Sequence, residues 1–347
     1  MEKRRLAVAG VVIFAVASAF LDIRSPRGFP DRYDPFTPPP YIDFLKDIGG
    51  HGRVMGGHGF LFPNYASAAG IQDIRYINSI SPALFHEFRN RYLKPEDVYY
   101  HSLWFTGSGY RGESGIEESI IRNLKYYSFL GVKHIILPSE IDFNGTAELI
   151  YPDGDERPFF PIEYSDGSVS IYRNEYATPR AFVVGRVRYA DSYKEAQEAI
   201  SSGDFDVSKE AVLEKRLPMD IDWAGQGAGN AEIVEYGANR AVINASAEKD
   251  GILVLTDTFY PGWKAYVDGE PAEIYRVNGL VRGVFLRGGV HTVEFRYFPA
   301  SFLAGLAISG VSISLMGLCF IFGKGRGTQE ISERLTKPAK STTNRGL

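Results

Sequence analysis

Residues Phe302 to Phe322 run for 21 positions without an Asp, Glu, Lys, Arg or His. As a helix the run is roughly 31 Å long, against a hydrocarbon core about 30 Å thick. It therefore predicts a transmembrane helix, since a buried helix of this length in a soluble protein ordinarily keeps a polar face. Tyr297, Phe298 and Phe302 stand at its near edge, where an aromatic belt forms at a membrane interface.

The stretch before it predicts tight β-hairpins. Asp268-Gly269, Asn278-Gly279 and Gly288-Gly289 follow one another at about ten-residue spacing, and each pair suits the positive φ angles of a two-residue hairpin turn. Between them Trp263 to Val267, Ala272 to Val277, Leu280 to Leu286 and Val290 to Tyr297 are rich in β-branched and aromatic residues, the composition of strands. In the last of these, His291, Val293, Phe295 and Tyr297 share one face, and Thr292, Glu294 and Arg296 the other. Ala231 to Tyr236, Arg240 to Ala247 and Ile252 to Leu255 add three strands, enough for a small two-sheet sandwich.

At the other end, Lys3, Arg4 and Arg5 precede an uncharged run from Leu6 to Leu21. Two readings stand side by side. As a transmembrane helix the run is about 24 Å long, a shortfall that bilayer thinning absorbs. As a signal peptide it has a basic start, an apolar middle and a cleavage-like Ala17-Ser18-Ala19. Either way the following residues lie outside the cytoplasm. The cations at Lys3 to Arg5 and at Lys324, Arg326, Arg334, Lys337 and Lys340 agree, by the positive-inside rule.

Between these ends the pattern is mixed α/β. Asp22 to Pro40 holds six prolines and reads as an extended linker. Tyr41 to Ile48 predicts a short helix, Arg53 to Met55 a strand, and Pro63 to Ile71 a loop. Ser81-Pro82 opens a helix to Leu93, with Ser as N-cap and Pro at the first helical position. Ser114 to Glu117 forms a capping box, ahead of a helix in which Ile116, Ile120, Leu124 and Tyr127 recur at helical spacing. Gly131 ends that helix, and Val132 to Leu137 follows as a buried strand. Ser168 to Tyr172 and Ala181 to Val187 predict strands; Asp191 to Ile200 and Ser208 to Glu214 predict helices. The run Gly225 to Gly229 marks the join to the β-rich part.

Composition removes several function classes. The chain has 38 basic and 42 acidic residues, so no nucleic-acid partner is implied. Its single cysteine, Cys319, lies inside the C-terminal span, so the body carries no disulfides.

The run YPGWKAYVDGEPAEIYRVNGLVRGVFLRGGVHTVEFRYFP, from Tyr260 to Pro299 and feeding a terminal span, resembles the C-terminal part of the YfhO family of bacterial multi-span membrane proteins. Further matching stretches are RVMG at Arg53 to Gly56, PNYASAAGIQDIRYINSI at Pro63 to Ile80, FLGVKHIIL at Phe129 to Leu137 and PRAFVV at Pro179 to Val184. GDFDVSKEAVLE at Gly203 to Glu214 is similar to another family pattern. The resemblance implies an extracytoplasmic domain attached to a C-type glycosyltransferase-like membrane region, of the kind that transfers sugars from a polyprenyl-phosphate carrier to cell-surface polymers. The family's many-helix N-terminal region, with the acidic outer loop expected to hold a metal and carrier phosphate, has no counterpart here. No catalytic residue carries over. Leu6 to Leu21 resembles the last span before the outer domain, which favours a retained helix over a cleaved signal.

Few residues offer chemistry of their own. Asp153-Asp155, Asp204-Asp206 and Asp220-Asp222 have the Asp-x-Asp form that can hold a divalent cation, but in loop-like segments. His51 and His58 flank a glycine-rich turn without a third ligand at a recognised zinc spacing; His134 reads as a core or edge residue and His291 as part of the hairpin sheet. Gly112 to Gly115 lacks the spacing of a nucleophile elbow. Tyr260, Trp263 and Asn278 are the candidate glycan contacts: two rings to stack on a sugar and an amide for its hydroxyls. Against that, Trp263 suits a packed strand position and Asn278 its own turn.

The expectation is an α+β, membrane-anchored chain. It comprises an N-terminal transmembrane helix or signal peptide (1–21), a linker (22–40), a mixed α/β extracytoplasmic domain (41–224), a β-sandwich (225–300), a C-terminal transmembrane helix (301–323) and a disordered cytoplasmic tail (324–347). Both termini are then cytoplasmic. The expected role is a non-catalytic accessory or acceptor-binding part of a lipid-carrier-dependent cell-surface glycosylation system, without cofactor or metal. Its expected partners are the bilayer, a multi-span glycosyltransferase and a cell-surface glycan or polyprenyl-linked sugar. The alternative is a glycosyltransferase acting on a polyprenyl-phosphate-linked sugar.

Overall fold

The computed structural model describes residues 38–48, 50–61, 65–75, 82–93, 116–150, 159–221 and 229–322. The expectations for Leu6 to Leu21, most of the linker, Ser81, Ser114, Asp153, Asp155, Asp222, Gly225 to Ala228 and the tail after Phe322 lie outside them.

The first half builds one small sheet under helices. Helix α1 (Pro40–Asp47) starts with proline at its first position and buries Tyr41, Ile42 and Leu45 along one face. Strand β1 (Arg53–Gly56) follows. Tyr65–Ala68 forms a one-turn helix, α2, where a loop was expected; Ala66 is the residue it buries. Helix α3 (Ala83–Phe88) takes Pro82 as its N-cap rather than its first helical residue, and continues as a π-helical turn to Leu93. Helices α4 (Ile116–Arg122) and α5 (Leu124–Phe129) bend at Asn123. Gly131, at φ +69°, ends α5 in the left-handed region glycine favours. Strand β2 (Val132–Pro138), helix α6 (Phe143–Ile150) and strands β3 (Ile162–Ser165) and β4 (Val169–Arg173) complete the unit.

The sheet order is β1-β2-β4-β3, with β1 parallel to β2 and the other pairs antiparallel. The alternation of a strand sends side chains to opposite faces, and β2 shows what each face meets. Ile136 joins Val54, Val169 and Ile171 beneath α1 and α2, whereas Ile135 and Leu137 join the core under α3 to α6.

The second half holds two larger sheets. Its elements are β5 (Ala181–Val184), β6 (Arg186–Tyr189), α7 (Tyr193–Ser201), β7 (Glu210–Leu213), β8 (Gly229–Tyr236), β9 (Arg240–Ala247), β10 (Gly251–Thr258), β11 (Trp263–Val267), β12 (Glu270–Ala272), β13 (Tyr275–Val277), β14 (Val281–Leu286) and β15 (Gly289–Tyr297). One sheet runs β5-β10-β14-β13-β7-β6 and the other β12-β11-β15-β9-β8. Strands from both sides of residue 224 thus share the six-stranded sheet.

That sheet is covered on both faces, which explains the unbroken apolar run of β10. Ile252 and Val254 face the helical side with Phe182 and Val184. Leu253 and Leu255 face the five-stranded sheet, meeting Ala181, Ile243, Val284, Val293 and Phe295 in a second apolar layer. The far side of the five-stranded sheet is polar, laced by Arg240 pairing with Glu235 and Glu294 and by Arg296 pairing with Glu294.

Three local expectations change. Ser208 to Glu214 is not a helix: Asp206 caps a turn by accepting from Ser208 N and Oγ, and the chain then enters β7, buried along its whole length. Tertiary burial between β6 and β13 overrides the helical composition. The single strand expected over Ala181 to Val187 splits at Gly185, and that expected over Ala272 to Val277 divides between the two sheets. Of the three turn pairs, Asp268-Gly269 (φ +53° and +85°) and Asn278-Gly279 (φ +53° and +65°) adopt the positive angles at both positions, whereas in the third only Gly289 does.

Helix α8 (Ala300–Phe322) leaves two residues after β15. Its 19 residues from Ala300 to Leu318 have a mean hydropathy of 1.8 and are not buried against the body. Ser312 and Ser314 donate their hydroxyls to the carbonyls of Ile308 and Gly310, each at 2.8 Å, so these polar groups are satisfied within the helix, as a lipid environment requires. Among the described residues it is the one helix long and apolar enough to cross a membrane.

Asn278 links the β13–β14 turn to β7. Its N–H donates to Val212 O at 2.8 Å, and its Oδ1 accepts from Val212 N at 2.7 Å. Asn278→Ala removes the acceptor and places an alanine at positive φ; it is expected to destabilise the folded chain by roughly 2 kcal/mol. Chemical denaturation of the full chain in nanodiscs measures this.

Candidate functional site

Tyr260 to Trp263 and Tyr297 to Pro299 meet where the five-stranded sheet ends. Trp263 and Tyr297 are cross-strand partners with ring centroids 5.2 Å apart. Phe298 N donates to Gly262 O at 2.9 Å, and Tyr297 N to Asn239 O at 2.8 Å. Gly262 has φ +101°, and a Cβ there would lie 3.0 Å from Pro299 Cβ and Tyr297 Cε2. Glycine is needed on both counts. The result is a collar of backbone bonds and rings around the exit of α8.

A groove of about 390 Å³ opens beside this collar, lined among others by Tyr260, Trp263, Lys264, Tyr266 and Glu273. Tyr260 is about half exposed, with its ring 6.4 Å from that of Tyr297. Two of the three candidate glycan contacts thus come together. Asn278 does not join them: it is buried, its side-chain oxygen already bonded to the β7 backbone. An aromatic wall with polar groups at its rim can stack on the apolar face of a sugar and bond its hydroxyls.

The other wall of Trp263 faces a charge cluster that the sequence reading missed. Asp257, on β10, accepts from three arginines brought by distant segments. Arg180 donates Nε at 3.0 Å and Nη2 at 2.6 Å to Oδ1; Arg53 Nη2 reaches the same oxygen at 3.2 Å; Arg282 Nη2 reaches Oδ2 at 2.5 Å. Tyr236 donates its hydroxyl at 3.0 Å. Arg53 also bonds Thr256 O at 2.7 Å and the carbonyl of Leu130, tying the first sheet to the six-stranded one. Arg282 lies over Trp263, its guanidinium carbon 3.7 Å from the ring centroid, within cation–π range. Burial pushes the Asp257 carboxyl up, but Arg180, Arg282 and Arg53 together outweigh it and hold it well below the usual carboxylate range. One signal of this cluster was present in the sequence: Arg180 and Arg282 are lone charges in otherwise apolar strand patterns, and a buried charge needs a partner.

The remaining candidates stay apart. His58 pairs with Glu117. His51 packs against the Tyr236 ring at 5.4 Å, His134 bonds Glu163 at 2.9 Å, and His291 bonds Asp268 at 2.7 Å. Asp204 pairs with Arg188 and Asp206 with Lys209. Among the described residues no group of three or more His, Cys, Asp or Glu side chains converges on a common point.

Asp257→Ala leaves three guanidinium groups without their carboxylate and is expected to cost about 3–5 kcal/mol of stability. Because its folded pKa is depressed, the wild-type contribution is fully present above the unfolded value, about 3.9, and declines progressively as pH falls below it; unfolding from pH 7 down to pH 3 checks the cost and the onset of that decline. His58 has the opposite sign. The Glu117 hydrogen bond raises its pKa against burial, so the stability it contributes is present below about pH 6.5 and fades as pH rises through the folded value. The gap between wild type and His58→Gln should therefore shrink between pH 6 and pH 8.

No curated protein and no solved structure matches the chain. The family model described as bacterial membrane protein YfhO matches residues 228–309. That span includes the five-stranded sheet, the collar and the first turns of α8. Over residues 228–309 the chain is therefore similar to the YfhO family of bacterial membrane proteins.

Proposed function

We propose that this chain holds a glycan-binding body at the outer face of a bacterial membrane, as a non-catalytic, acceptor-binding part of a lipid-carrier-dependent cell-surface glycosylation system. The observation that carries the reading is the position of the aromatic groove. It sits against the collar from which an exposed, apolar, membrane-length helix departs. A surface polymer bound there would be presented close to the membrane, where lipid-linked sugars are available to a multi-span transferase. The YfhO match supports the membrane setting, and the positive-inside pattern supports the outer location.

In this reading Tyr260 and Trp263 form the stacking wall, with Lys264 and Glu273 at the rim. Glu273 pairs with Lys215 at the surface. The chain's contribution is then placement of the acceptor, and the transfer chemistry belongs to the partner.

Two measurements test this. Protease added to right-side-out vesicles should cut the body without detergent; a body cut only after the membrane is opened reverses the orientation. Tyr260→Ala, at an exposed position, should weaken retention of purified cell-surface glycan by about threefold to tenfold with the unfolding transition unchanged. Glycan binding that ignores Tyr260 removes the groove from the proposal, and sugar transfer by the purified chain alone replaces the accessory role with a transferase.

A further inference from the structure

We infer that the cavity between Asp257, Arg282 and Trp263 binds a phosphate-type oxyanion. It has a volume of about 320 Å³ and is lined by Gln72, Tyr236, Asp257, Trp263 and Arg282 together with the Gly237-Ala238 turn. Three guanidinium groups converge on one carboxylate, and among the described residues no other carboxylate bonds any of them. Two positive charges are left over in a site where burial makes each costly.

The second observation is independent of the count. Arg282 is 3% exposed, and its Nε and Nη1 are buried without a hydrogen-bond partner among the described residues. Only Nη2 is used, on Asp257. Trp263 lies against the guanidinium, its ring centroid 3.7 Å from the guanidinium carbon, and both residues line the cavity. A planar, fixed guanidinium with unused donors is the group best suited to a tetrahedral oxyanion. The Tyr236 hydroxyl stands on the same cavity. Burial, reinforced by Arg180, pushes Arg53 down to about 9, so the cluster carries its positive charge at a cost.

The location narrows the source of the phosphate. The Gly237-Ala238 turn adjoins Asn239, whose carbonyl receives Tyr297 N, and Trp263 pairs with Tyr297 just before α8. The cavity therefore lies at the end of the sheet from which α8 leaves. If α8 spans a membrane, a reading this step takes from the proposed function, lipid headgroup phosphates are within reach. A soluble phosphate or phosphorylated sugar offers the same chemistry.

The test uses the full chain in phosphatidylcholine nanodiscs, with thermal unfolding followed while inorganic phosphate replaces chloride at constant ionic strength. A saturable rise in midpoint is expected, about 5 °C when phosphate is far above its dissociation constant. Arg282→Gln should abolish the rise while still unfolding cooperatively. Asp257→Asn, which removes the competing carboxylate, should start from a lower midpoint and gain more from phosphate than wild type. If phosphatidylglycerol in the disc raises the midpoint and suppresses any further effect of phosphate, the source is a lipid headgroup. If phosphate acts equally in both discs, the source is soluble. A wild-type midpoint indifferent to phosphate and to phosphatidylglycerol overturns the site. The phosphate arm does not need the helix to span, so its failure and a failed membrane orientation are separate results.

Discussion

A single carboxylate, Asp257, ties the first sheet to the six-stranded one, in which its own strand β10 already pairs with β5 and β14. Arg53 arrives from the first sheet, Arg180 from the residue before β5 and Arg282 from β14. Hydrophobic layers press these parts together but do not fix how they are aligned, because dispersion and burial have little directional preference. The Asp257 hydrogen bonds do have direction. Arg180 reaches one oxygen with two of its nitrogens, Arg282 takes the other oxygen, and Arg53 adds the carbonyls of Thr256 and Leu130. Buried ion pairs contribute less to net stability than apolar packing of the same volume, so their value here is best placed in alignment.

The six-stranded sheet shows what that alignment is for. It is apolar on both sides, packing helices on one and the five-stranded sheet on the other. Strands of this kind could slide in register without exposing any apolar surface, since neither face is water-facing. The Asn278 clasp on Val212 and the arginines on Asp257 supply polar markers that only one register satisfies. Sheet, collar and cavity then follow from the same few polar contacts.

Much of the second half was legible in the residues. Period-two alternation located β15, and the Asp-Gly and Asn-Gly pairs located two turns with the angles such pairs favour. What escaped were features set by tertiary surroundings. Ser208 to Glu214 carries helical composition, but Glu210 to Leu213 is drawn into a strand because both of its faces are buried. The break between β12 and β13 depends on two sheets being present at once, which no local pattern records. The groove residues Tyr260 and Trp263 could be named from side-chain chemistry. The Asp257 cluster could not, since its members lie up to 229 positions apart, and a lone arginine in an apolar strand announces the need for a partner without naming one.

The passage from β15 into α8 has a geometric consequence. Tyr297, facing Trp263, and Ala300, the first helical residue, are separated by three peptide steps. A chain that short spans at most about 11 Å even when fully drawn out, and hydrogen bonds to Asn239 and Gly262 hold its near end. No tether remains to let the body drift from its stalk. Trp263, the wall common to both cavities, keeps one fixed height above the point where the apolar rod begins, so whatever sets the depth of that rod also sets the altitude at which ligands are met.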